Sequence, residues 1–302
     1  MNLGKFVRPF RVDQPETFKL SSIDPSDTGG FGLDKDKARK MLADRAKHLS
    51  DLQERLYAQD KWAVLMILQG MDAAGKGGIV EHVLYGVNPM GCEVHSFKAP
   101  TAEELDHDFL WRVAQRVPPC GRIGIFDRSH YEECLVVRMH PEILAKQKLP
   151  PRLVTKNIWK ERFEAIRAFE RHLVRNGIVV LKFHLRISKE EQRMRFLDRL
   201  DDPNKRWKFN MGDVAERKLW PRYMAAYQDM IRKTSTKEAP WIVVPADHKW
   251  FARLVVSAAL IEALEKIDPK FPSPQGHSPT EFKKVRAALE AEGGPGKRKG
   301  ES

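Results

Sequence analysis

Apolar residues run along this chain in two rhythms. Nearly continuous runs at Trp62–Leu68, Ile123–Phe126, Ile178–Leu185 and Trp241–Pro245, with a shorter mixed one at Cys92–Phe97, have the length and composition of strands. Between them lie segments of helical spacing. Met41, Leu42, Leu49, Leu52 and Leu56 mark a helix over 34–59. Thr101 and Glu104 form a capping box before a helix carrying Leu105, Phe109, Leu110 and Val113, which Pro118-Pro119 ends. A third helix spans 153–176 and is closed by Gly177, and a last one covers 249–267. Strands separated by helices of ten or more residues predict an α/β fold, a five-stranded parallel sheet between two helical layers. Right-handed crossovers then bring the loops after the strands to one edge, where ligands bind.

Three regions follow from the same pattern. Residues 1–33 carry prolines and glycines without periodicity and predict an extended arm, lying on the domain or free of it. Residues 34–268 form the domain proper, and 269–302 a mobile tail. The longest apolar run has seven residues, too short for a membrane span, and the N-terminus lacks a signal-peptide core, so the expected compartment is the cytoplasm. Cys92, Cys120 and Cys134 have no metal-ligand spacing and are expected to be reduced and partly buried. A net charge of +12 calls for a polyanionic partner without saying which.

The chemistry gathers where the first strand ends. Gly70-Met71-Asp72-Ala73-Ala74-Gly75-Lys76-Gly77-Gly78 follows that strand and precedes a helix expected from about Ile79, the order in which backbone N–H groups converge on phosphate. The string matches G-x-x-x-x-G-K-[ST] except at Gly77, where the hydroxyl that holds magnesium is missing. Asp72, inside the loop, is the substitute oxygen donor. Asp127 ends the Ile123–Phe126 strand in the position of a Walker B carboxylate, a second candidate for magnesium. It is alternatively a helix cap, and Ser129 and Glu132 have the spacing of a capping box. Arg128 offers a planar fork to a second phosphate, and Lys98 follows the Cys92–Phe97 strand with the same logic. His95 reads as a packed strand residue.

Ser188 and Glu191 open a further helix with Met194, Leu197 and Leu200 on one face and Arg195 and Arg199 on another. A basic turn, Lys205, Arg206 and Lys208 around Trp207, follows it. Arginines on a helix before a basic turn suit a lid over phosphates, at about 188–215.

These strings together, G-M-D-A-A-G-K-G-G at 70–78, F-D-R-S-H-Y at 126–131, K-F-H-L-R-I-S-K-E-E-Q at 182–192 and A-P-W-I-V-V-P-A-D at 239–247, resemble the polyphosphate kinase 2 family from about Asp34 to Asp268. Y-E-E-C-L-V-V-R-M-H-P-E at 131–142 resembles the branch acting on both nucleoside mono- and diphosphates. The resemblance implies a P-loop kinase fold similar to thymidylate kinase with a helical lid, polyphosphate and the nucleotides AMP, ADP and ATP as substrates, Mg²⁺ (or Mn²⁺) as cofactor, and a homodimer or homotetramer. It implies Asp72 and Asp127 as metal ligands and Lys76 at the transferring group. Ala73, Ala74, Gly75, Gly77 and Gly78 would cradle phosphate, and Arg128, Arg195, Arg199 and Lys208 would grip phosphates. Glu132 would select substrate. Two other readings use the same residues: an ATP-dependent nucleoside monophosphate kinase, and a nucleic-acid-binding protein, for which no recognition motif is present and only non-specific binding is expected.

Overall fold

The computed structural model describes residues 3–274 and 278–292. Five strands, β1 (Ala63–Gln69), β2 (Cys92–Ser96), β3 (Ile123–Asp127), β4 (Ile178–Arg186) and β5 (Trp241–Pro245), form one parallel sheet in the order β2-β3-β1-β4-β5. β1 sits at its centre, buried along its whole length because helices cover both faces. Leu68 is paired with Asp127 and Gln69 with His184, so the ends of β1, β3 and β4 reach the same edge.

One helical layer is built on Lys249–Ile267, whose interior from Phe251 to Leu264 is almost wholly buried between the sheet and the helix Lys35–Gln59. The other layer contains Ile158–Arg175 and Trp220–Thr234, each with one apolar stripe. The Thr101–Glu104 capping box is present with both of its hydrogen bonds. The helix after it breaks into Ala102–Asp106 and Trp111–Ala114, because the Asp108 carboxylate accepts the Leu110 N–H and starts a new turn. Gly177, at φ +84°, follows Ile158–Arg175 as a C-terminal stop.

Two segments differ from expectation. Residues 4–10, expected to be extended, form helical turns that bury Phe6, Val7 and Phe10 in the core, and the Val12 N–H donates to Trp241 O. Proline and glycine density concealed five core residues, Phe6, Val7, Phe10, Val12 and Leu20. Within the expected mobile tail, Pro279–Glu292 is a helix with no buried residue, while 293–302 lie outside the described residues. Cys134 is buried, Cys92 half-buried and Cys120 exposed, all as free thiols. Among the described residues no helix is long and apolar enough to cross a membrane.

Candidate active site

β1 ends at Gln69 and the chain turns at Gly70, where a Cβ would stand 2.8 Å from Leu185 O, so only glycine lets the loop pass the end of β4. Ala73 (φ +62°) and Gly75 (φ +106°) take left-handed conformations that curl the loop back toward the sheet. The helix starts at Lys76, three residues earlier than expected, so Gly77 and Gly78 lie in its first turn. Its first intrahelical bond runs from Ile79 N–H to Gly75 O, which leaves the N–H groups of Lys76, Gly77 and Gly78 ahead of the ladder as anion donors. The buried Lys76 ammonium rests on the loop carbonyls of Gly70 (2.9 Å) and Met71 (3.4 Å).

Across this loop stands the end of β3. Arg128 has φ +65°, and its N–H donates to Leu68 O, which ties the turn to β1. Its Nη2 lies 2.9 Å from Asp72 Oδ1. Burial opposes its charge, but Glu132, Asp72 and Asp127 outweigh burial and hold the guanidinium above its ordinary range. Asp127 Oδ1 is buried and accepts no hydrogen bond from the described residues. Glu132 is half-buried, and burial raises its carboxyl against the pull of Arg128 and Lys76. The expected Ser129–Glu132 capping box does not form. Ser129 Oγ accepts instead from Tyr131 N–H and Gln69 Nε2, and residues 130–134 wind as a tight 3₁₀ turn, leaving Glu132 directed by other neighbours.

Asp72 and Asp127 bring hard oxygen donors to the mouth of the loop, and the unpartnered Asp127 Oδ1 is suited to a cation. No three acidic, histidine or cysteine side chains converge on one point among the described residues. The donor set of Asp72 and Asp127 fits Mg²⁺, which takes one or two carboxylates and completes its shell from phosphates and water.

The helix Lys189–Asp201 meets the loop in an unexpected way. Arg195, expected to face phosphate, is buried, and its donors are taken by protein. Nε bonds to Glu191, Nη1 to Ala73 O and Ala74 O, and Nη2 to Ala246 O and Asp247 O, at 2.6–3.1 Å. Five N–H bonds meet five acceptors, so Arg195 clamps the loop backbone rather than reaching a ligand. Gln192, one turn earlier, donates to Asp72 O (2.9 Å) and accepts from Arg217 (2.8 Å). Ser188 caps the helix through Glu191 N–H, while the Glu191 carboxylate turns to Arg195, so only half of that capping box is made.

Arg199 lies 3.8 Å from Asp213, whose carboxyl is raised by burial and by Asp72. Lys208 is exposed, 5.1 Å from the Trp207 ring, with no link to the loop. Lys98 is exposed at the rim of a 380 Å³ cavity that Phe97, Phe109, Arg112, Arg128 and Glu132 also line. The structure thus unites Asp72, Gly75, Lys76, Gly77, Gly78, Asp127, Arg128 and Glu132, sets Lys98 on the adjoining cavity, and keeps Lys208 apart. Gln192 and Asp213 escaped sequence reasoning. The available signals were that Gln192 closes the 182–192 string and lies one helical turn from both Ser188 and Arg195.

A family model described as polyphosphate kinase 2 matches residues 32–272. The chain belongs to the polyphosphate kinase 2 family. It is 46% identical over 267 residues to an ADP-polyphosphate phosphotransferase of Rhodopseudomonas palustris, covering 88% of this chain and 92% of that one. It is equally similar, 46% over 269 residues, to an AMP/ADP-polyphosphate phosphotransferase of Meiothermus ruber, covering 89% and 97%. The crystal structure of polyphosphate kinase 2 from Arthrobacter aurescens TC1 superposes with a TM-score of 0.85 at 40% identity, over 94% of this chain and 96% of that one. The fold is therefore the P-loop kinase fold of polyphosphate kinase 2, and the family match starts after the N-terminal residues that complete the core here.

Proposed function

We propose that this chain transfers phosphoryl groups reversibly between inorganic polyphosphate and adenine nucleotides, taking AMP to ADP and ADP to ATP. The observation that carries the reading is the Arg128–Asp72 contact, which joins two cations, Lys76 and Arg128, and two acids, Asp72 and Asp127, around one helix N-terminus. The names of the two 46% identical relatives support the substrates.

A terminal phosphate oxygen of the nucleotide attacks the end phosphorus of polyphosphate in line; a new P–O bond forms as the bond to the shortened chain breaks. The leaving oxygen keeps the electron pair. The barrier falls through positioning and charge neutralisation, with no covalent enzyme intermediate. The N–H groups of Lys76, Gly77 and Gly78 hold the phosphate oxygens, and the Lys76 ammonium moves from its carbonyl contacts onto the transferring group. Arg128 offsets charge on the neighbouring phosphate. Asp72 and Asp127 would hold Mg²⁺, which would supply Lewis-acid screening of the phosphate oxygens. The 380 Å³ cavity beside Arg128 seats the nucleoside against Phe97 and Phe109, with Lys98 and Arg112 near its phosphates. Arg195 and Gln192 fasten Lys189–Asp201 to the loop, so closure belongs to the segment beyond Asp202, with Lys208 and Asp213, while Arg199 meets Asp213 from the fastened helix.

The test is chromatographic analysis of nucleotides after mixing the protein with Mg²⁺, polyphosphate and either AMP or ADP, without ATP. ADP and then ATP from AMP supports the full reading. ATP from ADP alone removes the monophosphate activity. Conversion of AMP only when ATP is added transfers the chain to the nucleoside monophosphate kinases.

A further inference from the structure

The sheet face under Ile158–Arg175 and Trp220–Thr234 carries a charged cluster within the buried core. Lys182, in the middle of β4, has no solvent exposure, and Glu170, Tyr131 and His130 are each at most 3% exposed. The Lys182 ammonium uses its three N–H bonds on Glu170 Oε2 (2.7 Å), Thr234 O (2.7 Å) and the Tyr131 hydroxyl (3.2 Å). The Tyr131 hydroxyl in turn donates to Glu170 Oε1 at 2.6 Å, and His130 Nε2 stands 3.6 Å from the same oxygen. Trp241 Nε1 closes the cluster by donating to Thr234 Oγ1.

A buried ion pair is a poor way to gain stability, because desolvation consumes what the attraction provides, and apolar residues of like volume do as well or better. What such a cluster supplies is a fixed geometry, and its position in the chain says which. Tyr131 is four residues past Asp127. Ser129, His130 and Tyr131 all turn inward, Ser129 to Gln69 and the other two toward Glu170, whereas Arg128 before them and Glu132 after them face the phosphate loop. Arg128 also holds a left-handed backbone that a non-glycine residue keeps only where its surroundings determine it. The turn is therefore pinned from below at 129–131, between the two residues it presents above.

We propose that Lys182, Glu170 and Tyr131 form a positioning triad that sets Arg128 and Glu132 against the phosphate loop. None of the three touches substrate. Their effect passes through the backbone of 128–132 alone, and for its kinetic consequence the inference rests on the kinase reading above.

The experiment compares the native chain with Tyr131→Phe and with the apolar triple variant Lys182→Met/Glu170→Leu/Tyr131→Phe, which leaves no buried charge unpaired. Hydrogen–deuterium exchange is followed in peptides covering 127–134, β1 and β5, together with steady-state kinetics and nucleotide binding. In the triple variant, exchange in 127–134 is expected to accelerate about tenfold while β1 and β5 stay native-like. In the same variant kcat should fall about tenfold with nucleotide Kd within about threefold of native. Tyr131→Phe should move the same readouts less far. Native-like exchange and kcat in a folded triple variant overturn the proposal, as does acceleration spread evenly over β1 and β5, the mark of a merely structural role. If the triple variant does not fold, an unchanged 127–134 peptide in Tyr131→Phe overturns it. If the native chain shows no polyphosphate-dependent turnover, the kinase reading fails, and the exchange data still decide the triad.

Discussion

The guanidinium of Arg128 lies 2.9 Å from Oδ1 of Asp72, which joins the turn after β3 to the loop after β1. Each side chain restrains the other before any phosphate arrives. Asp72→Asn keeps an oxygen near Arg128 but removes the charge needed to balance it and to hold a cation. It should lower kcat about a hundredfold with Tm nearly unchanged. Near-normal turnover would remove Asp72 from the mechanism.

Arg195 makes a different kind of prediction. Its replacement by Met strands four buried or part-buried carbonyls and Glu191, with an expected loss of about 3 kcal/mol of stability and a Tm lower by several degrees. Because Ala73 and Ala74 belong to the phosphate loop, KM for the phosphate donor should rise as well. Arg195→Lys should recover less than half of either loss, since a point charge cannot span acceptors on two loops. Thermal melts beside donor titrations check both. Full recovery by lysine would contradict the clamp.

His184 is buried against Tyr227, and burial, Arg186 and Lys76 push its imidazole down from 6.5 to about 3. The unfolded chain therefore binds a proton that the folded chain refuses between those values. The neutral ring's contribution is complete above pH 6.5 and is lost progressively as pH falls toward 3, by about 2 kcal/mol at pH 5. His184→Phe, which cannot titrate, should flatten the decline in Tm between pH 7 and pH 5. An identical slope would show that acid sensitivity arises elsewhere.

The net charge of +12 acts over distance on a long polyanion and less on a nucleotide. Raising salt from about 0.05 M to about 0.5 M should increase KM for polyphosphate about tenfold and KM for ADP far less. Equal increases would mean that the surface charge serves something other than the polymer.

Much of this was legible in the chain. Four of the strands are nearly continuous apolar runs that only a sheet covered on both faces can bury, so the five strands and their parallel pairing could be read from Trp62 to Pro245, while the order β2-β3-β1-β4-β5 could not. Positions set by backbone geometry were harder. Two glycines disfavour a helix start, yet the loop imposes one at Lys76. The spacing of Arg195 placed it on a helix face, but no periodicity reveals that carbonyls from two loops would meet it there. The spacing of Ser129 and Glu132 offers a capping box beside the substrate-selecting role for Glu132, but a buried glutamine on a neighbouring strand takes part of that serine's hydrogen bonding instead.

The N-terminal turn has a consequence for synthesis. Ser235 Oγ donates to Val12 O across 223 positions, and the Val12 N–H donates to the carbonyl of Trp241. Phe6, Val7 and Phe10 therefore leave the ribosome well before Trp241, yet find their seat only after the last strand has been made. For most of translation these side chains stay exposed. The closing step of folding is a long-range docking, which is slow and open to association between nascent chains, and a chaperone that shields this segment would act from the emergence of Phe6 until β5 is made.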